Sequence, residues 1–373
     1  MFAQPPLSSP PSFITILGGG LMGRLLAVAL ARQGHRVEVH EAGGRDGASS
    51  AAHVAAAMVA PLAESIVAEP GVVRMGQHSL ARWPELLAQL VQPVYFQHNG
   101  TLIIWHRQDA PEAARLRQKF EQTQGAVSRL PHMQALDAAA LAEREPALAG
   151  RFGQGLYLPG EGQLDNRQLL DALAATMDAL GVATHWHSPR SPEDFAPGSA
   201  GQPDWLLDCR GLGARADWQG LRGVRGEVVR LHAPDVTLQR PTRLVHPRYS
   251  IYLAPKEDHH FVIGATEIES EDLSPASVRS TLELLSAAYA VHPGFAEARI
   301  TELTTQCRPT LPDNLPAIRV PRDRVLQVNG LYRHGFMIAP AMLDVVMQLL
   351  VEGQSSLAPG FDLALQGSAA TAA

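Results

Sequence analysis

Four positions near the start of the chain have the residue types and spacing needed to hold a dinucleotide. Gly18, Gly20 and Gly23 fit G-x-G-x-x-G within FITILGGGLMG, residues 13–23. The first glycine permits a tight turn, the second lets a pyrophosphate approach the backbone, and the third lets helix pack on strand. The first amides of the following helix, at Leu21 and Met22, then face the phosphates. Glu41 lies 23 residues beyond Gly18 at the end of the second strand. There its carboxylate can accept hydrogen bonds from both ribose hydroxyls of an adenosine and would repel a 2′-phosphate. Glycines also serve ordinary turns and helix caps. The order strand, helix, second strand and terminal acid is what separates this segment from those uses.

The elements that position these residues follow from periodicity. FITIL, LLAVALARQG and HRVEVHEA form a βαβ unit, and residues 43–65 are then crowded with Ala, Gly and Ser. Such small side chains allow either close approach of backbone to a flat ligand or a helix packed tightly on its neighbour. Helices are expected over 71–90, 110–124 and 136–144, and another is capped by Asp165 or Asn166 and ends at Gly181. Strands are expected at 99–105 and 204–214, the latter running into glycines. Between about 223 and 265 the alternating GEVVRLHA, TRLVHPRYSIYLAPK and HHFVIGATEIE predict a mostly antiparallel sheet. The last third holds a helix (SVRSTLELLSAAYAVHP), a strand and Pro-rich loop (RITELTTQCRPTLPDNLPAI), a strand and glycine turn (VLQVNGLYRHG) and a final helix (FMIAPAMLDVVMQLLVEG). The expected fold class is α/β: a Rossmann-like nucleotide domain interrupted by an antiparallel sheet, with no internal repeat.

Composition narrows the function classes. With 373 residues, 46% hydrophobic and only 18% charged, the chain can bury a large core in two structural domains. Lys and Arg number 31 against 37 Asp and Glu, a net charge of −6 without any dense basic run, which argues against nucleic acid as a primary partner. Cys209 and Cys307 stand far apart and outside metal-ligand spacing, so neither a disulfide framework nor a zinc site is expected, and a reducing cytoplasm suits the chain. Residues 1–12 lack the basic and apolar regions of a signal peptide, and no apolar stretch is expected to span a bilayer. The Pro/Ser-rich segment 1–12 and the Ala/Ser/Gly-rich segment 366–373 are not expected to pack.

Several of these segments together resemble the flavin-dependent amine and amino-acid oxidases of the D-amino-acid oxidase superfamily, and within it the glycine oxidases of the thiamine pathway. The resemblance rests on GGGLMG with Glu41, ASSAAHVAAAMVAP (48–61), EGQLDNRQLLDAL, RGEVV, IYLAPK with FVIGATEIE, CRPTLPDNLP and NGLYRHGFMIAPAML, and it runs from Phe13 to about Gly353. A nicotinamide dehydrogenase would need only the first fingerprint. The resemblance implies noncovalent FAD, extended from the N-terminal βαβ unit to an isoalloxazine lying between the nucleotide domain and the antiparallel sheet. It divides the chain into an FAD domain (13–90, 145–220 and 300–360) and a substrate domain (91–144 and 221–299), as in glutathione-reductase-type folds. Ser49, Ser50, His53, Ala57 and Met58 would line the flavin, with Gly211 in a neighbouring turn. The final strand, turn and helix, Gly330 through Pro340, would bring Arg333, His334, Gly335, Phe336 and Met337 to the pyrimidine side of the ring, where the helix dipole favours negative charge.

An α-amino acid offers a carboxylate, an amine and a Cα hydrogen, and its oxidation requires mainly that this hydrogen be held near the flavin. A buried carboxylate calls for the planar fork of arginine, and Arg308 stands where the family motif places one. Tyr252 matches a family tyrosine whose hydroxyl also reaches the carboxylate, and Arg333 matches an arginine near the substrate and flavin edge. Their ordinary readings are an ion pair, a core tyrosine and a solvated turn. Ser250 departs from glycine oxidases that carry histidine there, and neither His246 nor His334 has a partner legible from spacing. Related sarcosine oxidases tether FAD through a cysteine placed much like Cys307, but the adjacent Arg308 follows the noncovalent pattern. The implied activity is oxidation of glycine, with sarcosine or small D-amino acids, to an imine. Oxygen is then reduced to hydrogen peroxide, and the imine is hydrolysed or passed to thiazole synthesis by a cytoplasmic homo-oligomer. The alternatives are a D-amino-acid dehydrogenase with another electron acceptor and a non-catalytic flavin-binding subunit.

Overall fold

The computed structural model describes residues 11–245 and 251–367; His246 and Ser250 lie outside the described residues. The first strand, Phe13–Leu17, sits between Arg36–His40 and Trp205–Asp208, parallel to both. Outward from these lie Val325–Asn329 and Ala183–His185, then Ala317–Arg322 and Ala364–Gly367, completing seven strands. Helix Leu21–Arg32 covers this sheet with Leu25, Leu26 and Leu30 buried, packs against helix Asn166–Ala179, and leaves its amino end at the glycine loop. Asp165 settles the two expected caps: its carboxylate accepts from the amides of Arg167 and Gln168. The strand ends and the start of the first helix therefore open on the same side, as a doubly wound sheet requires of a nucleotide site.

The second sheet has eight strands, in the order Arg299–Thr310, Arg222–His232, His260–Gly264, Ile251–Pro255, Thr242–Leu244, Thr101–Ile104, Gln154–Leu158 and Gln134–Asp137. All neighbours are antiparallel except Thr242–Leu244 with Thr101–Ile104. Two segments assigned from sequence to the nucleotide side pair here instead. Gln154–Leu158 is zipped to Thr101–Ile104, and the long strand Arg299–Thr310 runs beside Arg222–His232 with one bulge at Arg230/Leu231. Alternation identifies a strand but not its partner, so the sheet an isolated strand joins is fixed only by long-range register.

Of the two readings open for residues 43–65, a continuous packed helix is not what forms; there are only the turns Ala51–Val54 and Pro61–Glu64 around the short strand Met58–Val59. Two further expectations change. Ser12 is buried, and Gln366 and Gly367 continue the edge strand Ala364–Gly367, so the packed chain extends into both segments expected to be loose. The stretch Tyr332–Glu352 is long and apolar enough to cross a membrane, contrary to the sequence expectation; 72% of its most apolar window is buried inside the protein, where it forms a core helix.

Candidate functional site

One elongated cavity of about 470 Å³ lies between the two sheets, and it connects the glycine loop to Tyr252, Arg308 and Arg333. At the loop the three fingerprint glycines act differently. Gly18 has φ +94°, and a Cβ there would lie 2.6 Å from the Cys209 carbonyl oxygen. A Cβ on Gly23 would lie 1.8 Å from the Gly18 carbonyl oxygen, so this glycine packs helix on strand, and it does not line the cavity. Gly20 differs: the nearest atom to its Cβ position is Ser50 Cβ at 3.8 Å, and the freed space belongs to the cavity.

Glu41 accepts hydrogen bonds from the amides of Gly19 (2.5 Å) and Gly43 (2.6 Å), which fixes its carboxylate at the cavity's nucleotide end. Arg24, which sequence reasoning passed over, is fully buried and ties the loop in place. It donates to the carbonyls of Gly19 (2.6 Å), Leu170 (2.7 Å) and Arg45 (2.8 Å). Leu21, Met22, Ser49, Ser50, Ala57, Met58 and Gly211 line the walls. The core helix Gly335–Glu352 starts at the cavity, with Gly335, Phe336 and Met337 in its lining and His334 at the N-cap. Two helix N-termini with free amides, a side-chain-free approach at Gly20 and a fixed acid at Glu41 match what FAD requires of its host. His53 lies outside the lining. Its Nδ1 is buried with no hydrogen-bond partner among the described residues, and the charged groups acting on it are Arg167, Glu302 and Arg230, so a cofactor contact from this ring does not follow from the geometry.

The other end of the cavity is built on the antiparallel sheet. Tyr252 pairs directly with Gly264 on the next strand, and a Cβ on Gly264 would lie 2.6 Å from the tyrosine Oη. Arg308 pairs with Val224 of its neighbouring strand, and its guanidinium reaches diagonally over Gly226, where a Cβ would come within 2.4 Å of Nη2. Its guanidinium donates to the carbonyls of Arg225 (3.3 Å) and Thr266 (3.1 Å) and, among the described residues, pairs with no carboxylate. Burial, followed by the charge of Arg333, lowers its pKa from the usual arginine value, and burial raises that of the Tyr252 phenol, which therefore remains a donor.

Arg333 is fully paired. Its Nε lies 3.0 Å from Glu64 Oε2, its Nη1 bonds Glu267 Oε2, and Glu267 Oε1 accepts from the Tyr332 hydroxyl at 2.5 Å. Arg243 donates to Glu64 Oε1 at 2.6 Å, and His334 Nδ1 stands 3.4 Å from Glu64 Oε2. Burial opposes the ionised form of Glu64, but Arg333 and Arg243 outweigh it and hold the carboxyl well below the usual range. Cys307 also lines the cavity; it is 2% exposed, its Sγ lies 3.7 Å from the Ser270 carbonyl oxygen, and burial raises its thiol pKa. Sequence reasoning missed Glu64, Glu267, Gly226 and Gly264. Glu64 interrupts the apolar VAPLAES, and the two glycines interrupt strands beside Tyr252 and Arg308, which are the signals that could have found them.

Comparison with known proteins agrees with this geometry. A family model described as FAD dependent oxidoreductase matches residues 14–349. The chain is 40% identical over 341 residues to the putative thiamine biosynthesis oxidoreductase ThiO of Rhizobium etli, covering 91% of this chain and 97% of that protein. It is 27% identical to the bifunctional protein ThiO/ThiG of Synechocystis, covering 92% of this chain but 52% of that protein. The solved glycine oxidase of Geobacillus kaustophilus superposes with a TM-score of 0.75 at 25% identity, over 93% of this chain and 98% of that one. With a nucleotide cradle at one end of the cavity, a family model over residues 14–349 and a relative 40% identical along nearly its whole length, the chain belongs to the DAO family of FAD-dependent oxidoreductases.

Proposed function

We propose that this enzyme oxidises glycine, and with it sarcosine or small D-amino acids, to the imine. The observation that carries the reading is Arg308: a guanidinium in the cavity wall, held by two backbone carbonyls, with no carboxylate partner among the described residues. A substrate carboxylate completes its bonding, and the protonated Tyr252 hydroxyl offers a further donor from the same sheet. FAD supplies the two-electron acceptor when bound in the cradle described above. Because the Cα hydrogen leaves with both electrons, no side chain is required to remove it as a proton, and the amine enters neutral. Arg308 and Tyr252 then act by orientation, which is where most of the rate is gained in such a reaction.

Hydrolysis of the imine would give the oxo acid with ammonia, or with methylamine from sarcosine, and oxygen as the final two-electron acceptor would leave as hydrogen peroxide. The Rhizobium relative's name supports a place in thiamine biosynthesis. The buried, hydrogen-bonded Cys307 thiol supports noncovalent FAD, since the thiolate needed for a thioether is disfavoured there.

An anaerobic titration of the yellow protein with glycine, sarcosine, D-alanine and D-proline tests the reading, followed by admission of air with peroxide detection. Bleaching of the flavin band near about 450 nm and reoxidation with peroxide is the expected result. Bleaching without reoxidation would assign a dehydrogenase. No bleaching with any of the four would leave a flavin-binding protein without this activity.

A further inference from the structure

The substrate end of the cavity carries a short chain of ion pairs. Arg243 and Arg333 share two carboxylates, Glu64 and Glu267, and Arg308 stands outside that chain. Three guanidiniums against two carboxylates leave one unpaired, and it is Arg308, the guanidinium without an acidic partner among the described residues. The site is thus matched to one substrate carboxylate. Arg333 lines the same cavity as Arg308 and is a second guanidinium that a carboxylate could meet there, but what occupies it is acid from the protein.

The two acids on Arg333 are not equivalent. Glu64 is beneath it, with a side chain only 10% exposed and a second guanidinium, Arg243, on its other oxygen. The Glu267 side chain is 44% exposed, lines the cavity, and is held by the Tyr332 hydroxyl. We propose that Glu267 is a specificity-determining residue: it occupies the outward face of Arg333 and so restricts the cleft to amino acids carrying a single carboxylate. A dicarboxylate such as N-(carboxymethyl)glycine would have to displace Glu267 from Arg333 and bring its second negative charge against it, which costs affinity twice. This rests on the proposed amino-acid oxidase reading and names the substrate class of the same site.

The test compares acetate and glycolate with malonate and N-(carboxymethyl)glycine as ligands of the oxidised holoenzyme, read by perturbation of the flavin spectrum, in wild type, Glu267→Gln and Tyr332→Phe. Glu267→Gln should improve dicarboxylate relative to monocarboxylate affinity by about tenfold or more, the loss of one charge-assisted contact and one repulsion. The same ratio should rise for turnover of N-(carboxymethyl)glycine against glycine. Tyr332→Phe keeps the charge and removes only a hydrogen bond, so it should leave the ratio within about threefold of wild type. An unchanged ratio in Glu267→Gln, or an equal rise in both variants, overturns the inference while leaving glycine oxidation standing. If monocarboxylates fail to perturb the wild-type flavin at all, the Arg308 site is refuted and the inference with it.

Discussion

Replacing Gly226 by alanine should weaken substrate binding without unfolding the protein. A Cβ at this position would lie 2.4 Å from Arg308 Nη2, 2.6 Å from Cζ and 2.7 Å from Nη1, where ordinary contact begins at 3.4 Å. The guanidinium must therefore retreat by about 1 Å, and because it is the far end of a flexible side chain it can do so without moving the sheet. Retreat breaks its alignment with the carbonyls of Arg225 and Thr266 and with any carboxylate in front of it. A hydrogen bond to a charged group contributes about 1.5–3 kcal/mol, so losing one such bond to substrate corresponds to about 10- to 150-fold in affinity. The apparent Kd for glycine from anaerobic bleaching should rise by that factor, with FAD content and thermal midpoint close to wild type. Glycine affinity within about threefold of wild type in a folded, flavin-loaded variant would refute the placement of Arg308 against the substrate.

Gly23→Ala should behave in the opposite way, because its Cβ would meet the Gly18 carbonyl oxygen at 1.8 Å and backbone cannot step aside; a loss of at least about 1–3 kcal/mol in urea unfolding and poor FAD retention are expected, and normal values for both would contradict the loop geometry. Burial pushes the Glu161 carboxyl from 4.5 up to about 7, against the pull of Arg243. Between those pH values the folded state binds the proton and the unfolded state does not, so stability falls as pH rises through that window, by up to about 3 kcal/mol. Glu161→Gln mimics the protonated acid and should flatten the fall in urea midpoint between pH 5 and 8; an identical pH slope in both proteins would count against a protonated Glu161. Acid precipitation should release all yellow colour into the supernatant, and a pellet that stays yellow after washing would mean that Cys307 carries a covalent flavin.

What the sequence made legible was local. The glycine fingerprint, Glu41 and the Asp165 cap each depend on residues within a few turns of one another, where spacing and propensity decide. The substrate end depends on residues far apart in the chain: Glu64 meets Arg243 and Arg333, and Tyr332 meets Glu267. Nothing local marks such pairs, because each acid and each arginine is by itself compatible with a solvated surface. His53 shows the converse. Its neighbours Ala51, Ala52 and Val54 line the cavity, but His53, in the same turn, does not. Strand alternation was also readable between 223 and 265, while the membership of Gln154–Leu158 and Arg299–Thr310 in that sheet was not, since it is a matter of register across the fold.

The two glycines beneath Tyr252 and Arg308 explain how this sheet can carry the substrate recognition proposed for those side chains. Directly opposed residues of an antiparallel pair hold their Cβ atoms about 4.5–5.5 Å apart, so a long side chain can lie across the neighbouring strand only where that strand carries no Cβ. Gly264, directly opposite Tyr252, gives the ring that freedom, and Gly226, two residues along from the Val224 that faces Arg308, gives it to the guanidinium, so both side chains are carried by paired strands. Glu267, Tyr332 and Arg333 come instead from the segments after Gly264 and before the core helix, outside the strands. The proposed carboxylate receptor is therefore carried by strands, and the proposed selectivity charge, Glu267, lies outside them. Substitutions at Glu267 should change selectivity while the fold and the Arg308 site persist, whereas substitutions at Gly226 and Gly264 should reduce binding of every substrate alike.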